Sequence, residues 1–220
     1  MMGPLFNYNK SKLREETREY FRIPFVFKAS TRLFRVGLSE PYYIDFDLII
    51  NDPFRCEEVA KLYAAYILDV SRERPVELLG FLEKSGGTSG AIRLAGFISS
   101  LTHIPNVLIR LTRELEYDQV KLPLVEGKTL RERMSSVRIT LVTDHVTTGT
   151  ELLDAVDAVD YNGGKVTNVV AYTLRTDLVR KDEFASREID IFSLHPLPDG
   201  LPEELRVRAL EAVQMRTPSR

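Results

Sequence analysis

Cysteine is almost missing from this chain of 220 residues: Cys56 stands alone. No intrachain disulfide can form and no thiolate cage can hold a metal, which points to a reducing compartment. Long apolar runs are missing too. Stretches such as 169–172 fall far below the roughly 18 residues that suggest a membrane span. Neither sign of charge dominates, since 30 Lys and Arg face 32 Asp and Glu for a formal net charge of −2. Without a basic surplus, coating a nucleic-acid backbone is disfavoured, and only a local basic patch stays open. Residues 1–12 lack the charged-then-apolar pattern of a secretory leader. The remaining composition, 44% apolar and 28% charged, is that of a globular domain and excludes a disordered chain, a collagen-like fibre and a coiled-coil rod. The expectation is a soluble cytoplasmic protein without membrane or nucleic-acid partners.

No internal repeat is visible. Residues 11–21 are charged and helix-prone, and 25–27 and 42–46 are short β-prone pieces between turn residues. From Pro53 onward, helical and strand-like segments alternate. Val59, Leu62, Tyr63, Tyr66, Ile67 and Val70 recur at helical spacing within 54–70. Strands are predicted over 76–82, 106–111, 137–142, 166–172 and 189–194, the third of these rich in β-branched residues. Helices are predicted over 90–101, 150–159 and 202–213, the second stopped by Asn162-Gly163-Gly164 and the third opened by Pro202. This alternation predicts a doubly wound, mostly parallel α/β sheet. The organisation it suggests is an N-terminal helix and hood over 1–52, an α/β core over 53–214 and a polar tail over 215–220. Ligands in such folds bind beyond the carboxyl ends of the strands.

One stretch at such an end carries recognisable chemistry: Thr143-Asp144-His145-Val146-Thr147-Thr148-Gly149-Thr150. A strand ends in a carboxylate, a short Thr-Thr-Gly loop follows, and a helix starts at once. The loop amides and about half a positive charge of helix dipole make an anion site. The hydroxyls of Thr147, Thr148 and Thr150 add donors, and Gly149 lets a phosphate approach the backbone. Asp144 stands where it would accept from the hydroxyls of a phosphorylated sugar. The plainer alternative is a capped helix after a strand, with Asp144 satisfying loop amides.

The stretch resembles the phosphoribosyl pyrophosphate signature of type I phosphoribosyltransferases: an apolar strand, two acidic residues, two apolar residues and Thr-Thr-Gly. Three further segments are similar to orotate phosphoribosyltransferases in particular. Gly37-Leu38-Ser39-Glu40-Pro41-Tyr42-Tyr43-Ile44-Asp45 matches a Ser-Gly-x-x-Ser-Pro-Tyr-Tyr-x-Asp stretch. Gly90-Ala91-Ile92-Arg93-Leu94-Ala95 matches a Gly-Gly-Ile-Pro-Leu-Ala helix start, and Ile104-Pro105-Asn106-Val107 falls where a Gly-Ile-Pro strand entry is found. The resemblance is collinear, with gaps, from about 37 to 172. It implies a Mg²⁺-dependent homodimer that takes phosphoribosyl pyrophosphate and a pyrimidine base to a nucleotide and pyrophosphate. It assigns 147–150 to the 5-phosphate and Asp144 to the ribose.

The departures are specific. Thr143 replaces the first acidic residue of the signature, and His145 fills a position that is usually apolar, where it either faces the ligand or packs and hydrogen-bonds locally. In the family's mobile loop an Arg-Lys pair, a second Lys and a His are expected. Arg110 matches, but Leu111, Glu114 and Glu116 stand in the other places, and carboxylates near a pyrophosphate reverse the electrostatic help. Arg113 and Lys121 are the cations that a shifted register would bring in as catalytic groups; the alternative is that each is a solvated surface charge. Lys84, Ser85, Gly86 and Gly87 form a glycine-rich turn placed to hold pyrophosphate, or simply a strand-to-helix turn. It has neither dinucleotide nor P-loop spacing. Arg35 stands where the family has a lysine. Tyr42 and Tyr43 either flank a base or pack the N-terminal segment. His103, His195 and Cys56 share no metal-ligand spacing, and Cys56 reads as filler rather than a reactive thiol. Three other readings stand beside the orotate enzyme: a regulatory protein that binds a phosphorylated ribose, a transferase for another base, and, most weakly, an interaction protein without a ligand.

Overall fold

Parallel pairing of apolar strands organises the chain. The computed structural model describes residues 9–23, 26–29, 42–83, 89–110, 119–121, 137–176 and 178–197. Helix α1 (Lys10–Arg18) starts at Asn9, whose side chain accepts from the Lys12 amide at 3.1 Å, and runs into a 3₁₀ turn at Glu19–Arg22. Strands β1 (Phe27–Ala29) and β2 (Tyr42–Ile44) form an antiparallel ribbon. The short α2 (Asp47–Ile50) leads to α3 (Pro53–Glu73), which Asp52 caps by accepting from the amides of Phe54 and Arg55. Proline at the first helical position suits that start.

Then follow β3 (Leu78–Glu83), α4 (Ser89–Thr102), β4 (Asn106–Arg110), β5 (Gln119–Lys121), β6 (Arg138–Val146), α5 (Thr150–Tyr161), β7 (Lys165–Arg175), α6 (Lys181–Ser186) and β8 (Asp190–Leu197). Six of the described strands make one sheet in the order β5-β4-β3-β6-β7-β8, parallel except for β5 at its edge. This is the doubly wound, mostly parallel sheet that the alternation of elements implies. One apolar layer joins α1, α3 and α4 to the sheet through Leu62, Tyr63, Ile67, Ile98, Val170 and Tyr172. The other joins α5 and α6 through Leu152, Val156, Val159, Val169 and Phe184. Gly80 sits at the middle of β3, where an added Cβ would lie 2.9 Å from both Ile109 Cδ1 and Leu141 Cδ2.

Two differences from the sequence-based expectations matter. The strand expected to stop at Val142 continues to Val146, because β7 keeps pairing with it. Aspartate, poor in strands on average, is tolerated there by the ladder. The short β5 and α6 were not anticipated. The helix expected over 202–213 lies outside the described residues. Among those described, no helix is long and apolar enough to cross a membrane.

His195, assigned no role from sequence, fastens α1 to the sheet. Its Nε2 lies 3.0 Å from Thr17 Oγ1, and Tyr172 donates to the Thr17 carbonyl at 2.7 Å. Phe21 and Tyr172 pack edge-on against the imidazole at 5.3 and 4.8 Å. Burial above all, then Arg14 and Arg18, lowers the His195 pKa to about 3. Unfolded, the same ring titrates near 6.5. Below that pH the unfolded chain binds a proton that the folded chain refuses, so stability falls as pH drops from about 6.5 toward 3. We predict a loss of about 2 kcal/mol between pH 7 and pH 5 from this group, read as the difference between wild type and His195→Gln in urea unfolding. Equal pH slopes for the two proteins would contradict it.

Candidate functional site

The site follows from where β6 loses a neighbour. Its last register pair with β3 is Val142 with Phe81, whereas with β7 it continues through Thr143–Ala171, His145–Thr173 and Val146–Leu174. From β3 the chain moves through α4 to β4 on one side, and from β6 through α5 to β7 on the other. The carboxyl ends of β3 and β6 thus flank the point where strand order reverses, the place where open α/β sheets bind ligands.

Thr143, Asp144, Thr147, Thr148, Gly149 and Thr150 come together there. Thr143 and Asp144 lie on β6 past its last β3 pair and are half-buried. Asp144 Oδ1 accepts from the His145 amide at 2.7 Å and lies 3.4 Å from Thr143 Oγ1. The loop 147–149 rests on the segment before α6: the Arg180 amide donates to the Thr148 carbonyl at 3.1 Å. Gly149, at φ 81, occupies the left-handed region, and a Cβ there would stand 2.9 Å from Phe184 Cε2. Glycine is required twice over, by conformation and by space. Among the described residues no side chain caps α5. Its first-turn amides therefore offer donors to an anion, and Thr148 Oγ1 and Thr150 Oγ1 stand 3.2 Å apart at the same end.

Other predicted positions are more scattered. Arg110 ends β4 in register with Glu83, at the carboxyl end of the parallel strands. Lys121 lies on the outermost strand β5, opposite Leu108. Tyr42 and Tyr43 lie on β2, in register with Ala29 and Lys28. Arg35, Lys84, Ser85, Gly86, Gly87 and Arg113 lie outside the described residues. Cys56 is fully buried, and burial pushes its thiol up to about 11, as filler would behave.

Three supporting groups escaped the sequence reading. Tyr63 is fully buried and donates to the Thr143 carbonyl at 2.6 Å. Burial first, and then the Asp144 carboxylate, push its phenol well above its ordinary pKa, so it remains a donor throughout the working pH range. The available signal was a tyrosine on an apolar helical face, since a buried hydroxyl needs a partner. Thr173 is fully buried and meets His145 Nδ1 at 2.6 Å, and His145 Nε2 lies 3.2 Å from Thr147 Oγ1. His145 thus hydrogen-bonds locally, the plainer of its two readings. The third group, Phe184 beneath Gly149, had no signal in sequence.

No family model matches the chain. The orotate phosphoribosyltransferase of Methanothermobacter thermautotrophicus is 27% identical over 191 residues, 87% of this chain and 96% of that protein. Among solved structures, Leishmania donovani UMP synthase superposes with a TM-score of 0.61 at 17% identity, covering 96% of this chain, which spans 43% of that longer one. The orotate phosphoribosyltransferase of Aeropyrum pernix superposes with a TM-score of 0.58 at 17% identity, covering 90% and 98% of the two chains.

The two demands on Gly149 can be tested against a glycine that meets neither. Gly96, exposed within α4, has nothing within 4 Å of an added Cβ. Gly96→Ala is expected to stabilise the fold by about 0.5–1 kcal/mol, whereas Gly149→Ala is expected to cost about 1–3 kcal/mol. Thermal and urea unfolding of both variants check this, and equal shifts would remove the argument for a strained, tightly seated loop.

Proposed function

We propose that this chain is a type I phosphoribosyltransferase, like the orotate phosphoribosyltransferases it is similar to, and that it transfers a phosphoribosyl group from phosphoribosyl pyrophosphate to a pyrimidine base, most simply orotate. The observation that carries the reading is Asp144 on the overhanging end of β6, followed at once by an uncapped helix start behind Thr147, Thr148 and Gly149.

In this reading the first-turn amides of α5 and the hydroxyls of Thr147, Thr148 and Thr150 hold the 5-phosphate, and Asp144 accepts from the ribose hydroxyls, with Thr143 beside it. The C1′–O bond to pyrophosphate breaks through an oxocarbenium-like centre as a base nitrogen bonds to C1′. The protein's tasks are then to align the two reactants and to neutralise the leaving group. Arg110 at the end of β4, Arg113, Lys121 and the turn 84–87 are the candidates for the pyrophosphate. Arg35, Tyr42 and Tyr43 are candidates for the base. Phosphoribosyl pyrophosphate enters as its magnesium complex. Among the described residues no three acidic, histidine or cysteine side chains gather to hold a metal, and Asp144 offers the hard oxygen chemistry that suits Mg²⁺ alongside pyrophosphate and ribose oxygens.

The same reading takes residues 1–52 as a hood over an α/β core of 53–214, and the protein as a cytoplasmic homodimer. Support for self-association comes from the turn between α2 and α3. There Leu48 and Phe54 are exposed, and Arg93 reaches the Asn51 carbonyl from α4 beside the exposed Ile92. A second reading, a phosphoribosyl-binding regulator without turnover, is favoured by Leu111, Glu114 and Glu116 in place of mobile-loop cations.

Pyrophosphate release from phosphoribosyl pyrophosphate with Mg²⁺, across orotate, uracil and purine bases, separates these readings. Release with orotate alone is expected. Asp144→Ala should lower kcat/KM by about a hundredfold. Silence across the panel from folded protein that still binds phosphoribosyl pyrophosphate would favour the regulator, and release with another base would reassign the substrate.

A further inference from the structure

We propose that His145 is a positioning residue that turns the Thr147 hydroxyl outward, so that it donates to the bound phosphate. The inference rests on the phosphoribosyl reading above. His145 and Thr173 are register partners on β6 and β7, with Nδ1 2.6 Å from Thr173 Oγ1. On the other side of the ring, Nε2 lies 3.2 Å from Thr147 Oγ1, two residues along the chain.

The direction of each bond follows from counting protons. A neutral imidazole carries one N–H, so the ring donates on one side and accepts on the other. Thr173 is fully buried and has no water to take its hydroxyl proton. An unplaced buried donor is costly, while a spare lone pair is less so. Thr173 therefore donates to Nδ1. The ring proton then sits on Nε2 and is donated to Thr147 Oγ1. With its lone pair engaged from behind, Thr147 keeps its own proton for the anion in front.

The opposite orientation would have Thr147 spend its proton on Nε2 and present only lone pairs to a phosphate oxygen, which repels it. The relay Thr173 to His145 to Thr147 thus makes a hydroxyl that could either accept or donate into a committed donor, and each bond polarises the next. An apolar side chain at 145, usual in the resembling family, would leave that hydroxyl free to rotate. This gives the histidine of the altered signature a use that its sequence position alone does not reveal.

The test is isothermal titration of the full chain with ribose 5-phosphate, using unphosphorylated ribose as control. His145→Leu and Thr147→Val are each expected to weaken ribose 5-phosphate about tenfold, the loss of one charge-assisted bond. The double variant should bind no more weakly than either single one, because both remove the same donor. His145→Gln, whose amide accepts and donates from neighbouring atoms as the ring does, should restore binding to within about threefold of wild type. In the wild-type complex, imidazole ¹⁵N shifts should report a proton on Nε2 and none on Nδ1. Wild-type affinity in His145→Leu, multiplied losses in the double variant, failure of the Gln rescue, or a proton on Nδ1 would each overturn the inference while leaving the phosphoribosyl reading standing. A wild-type protein that binds ribose 5-phosphate no better than ribose would overturn both.

Discussion

The site depends on an inequality in strand pairing. Among the described residues, β6 has a partner on both sides up to Val142 and on one side only from Thr143 to Val146. A fully flanked strand has its edges consumed by ladder bonds; a half-flanked one has an open edge that something else must satisfy. Here the Tyr63 hydroxyl reaches the Thr143 carbonyl, and Asp144 turns one carboxylate oxygen back to the amide that follows it. The overhang is stiff because β7, buried along almost its whole length, holds it from the other side. A strand end held by β7 therefore carries the carboxylate of Asp144 and delivers the chain into the Thr-Thr-Gly loop.

That stiffness is shared with the N-terminal segment. Tyr172, on β7 between the overhang's register partners Ala171 and Thr173, donates to the Thr17 carbonyl of α1 and packs against Phe21, Phe46 and Tyr63. Tyr63 in turn contacts the overhang. The aromatic layer thus couples α1 and α3 to the same few residues of the sheet. Its polar atoms are paired rather than left bare, which is the condition for a polar layer to rigidify a core rather than weaken it. His195 meets that condition only while neutral, so the anchor of α1 is the part of this layer that acid reaches first.

Sequence periodicity located the elements well where a single face decides them. The apolar stripe from Val59 to Val70 became the buried face of α3, and Asn162-Gly163-Gly164 ended α5, with Gly163 at φ 86. It failed where pairing with a distant strand overrides local preference. Asp144 interrupts the strand signal of Thr143 and Val146, and pairing with β7, some thirty residues later, carries the strand through it. The Thr-Thr-Gly loop and the helix start behind it were legible because their pattern is local: two hydroxyls, a glycine and a helix start in succession. Its supports were not, because Tyr63, Thr173 and Phe184 are separated from it in the chain and look like ordinary core residues until the fold brings them near.

The two departures inside the signature can be weighed together. Under the proposed phosphoribosyl reading, Thr143 leaves one carboxylate fewer near a polyanionic ligand, and His145 adds a ring that hydrogen-bonds to the loop. Two like charges about 6 Å apart repel by roughly 3 kcal/mol at an effective dielectric constant of 20, so dropping a carboxylate relieves the phosphates even before any new bond forms. The same change removes a partner that would have gripped the ribose hydroxyls. Both substitutions therefore shift holding power from the sugar toward the phosphate. A transferase profits from gripping the ribose because charge develops at C1′ in the transition state, whereas a 5-phosphate grip acts equally on ground and transition states and strengthens binding without speeding the chemical step. If the proposed reading holds, the electrostatics of this stretch suit retaining a phosphoribosyl ligand better than turning it over rapidly, and fast turnover then draws on cations from beyond β6 and α5.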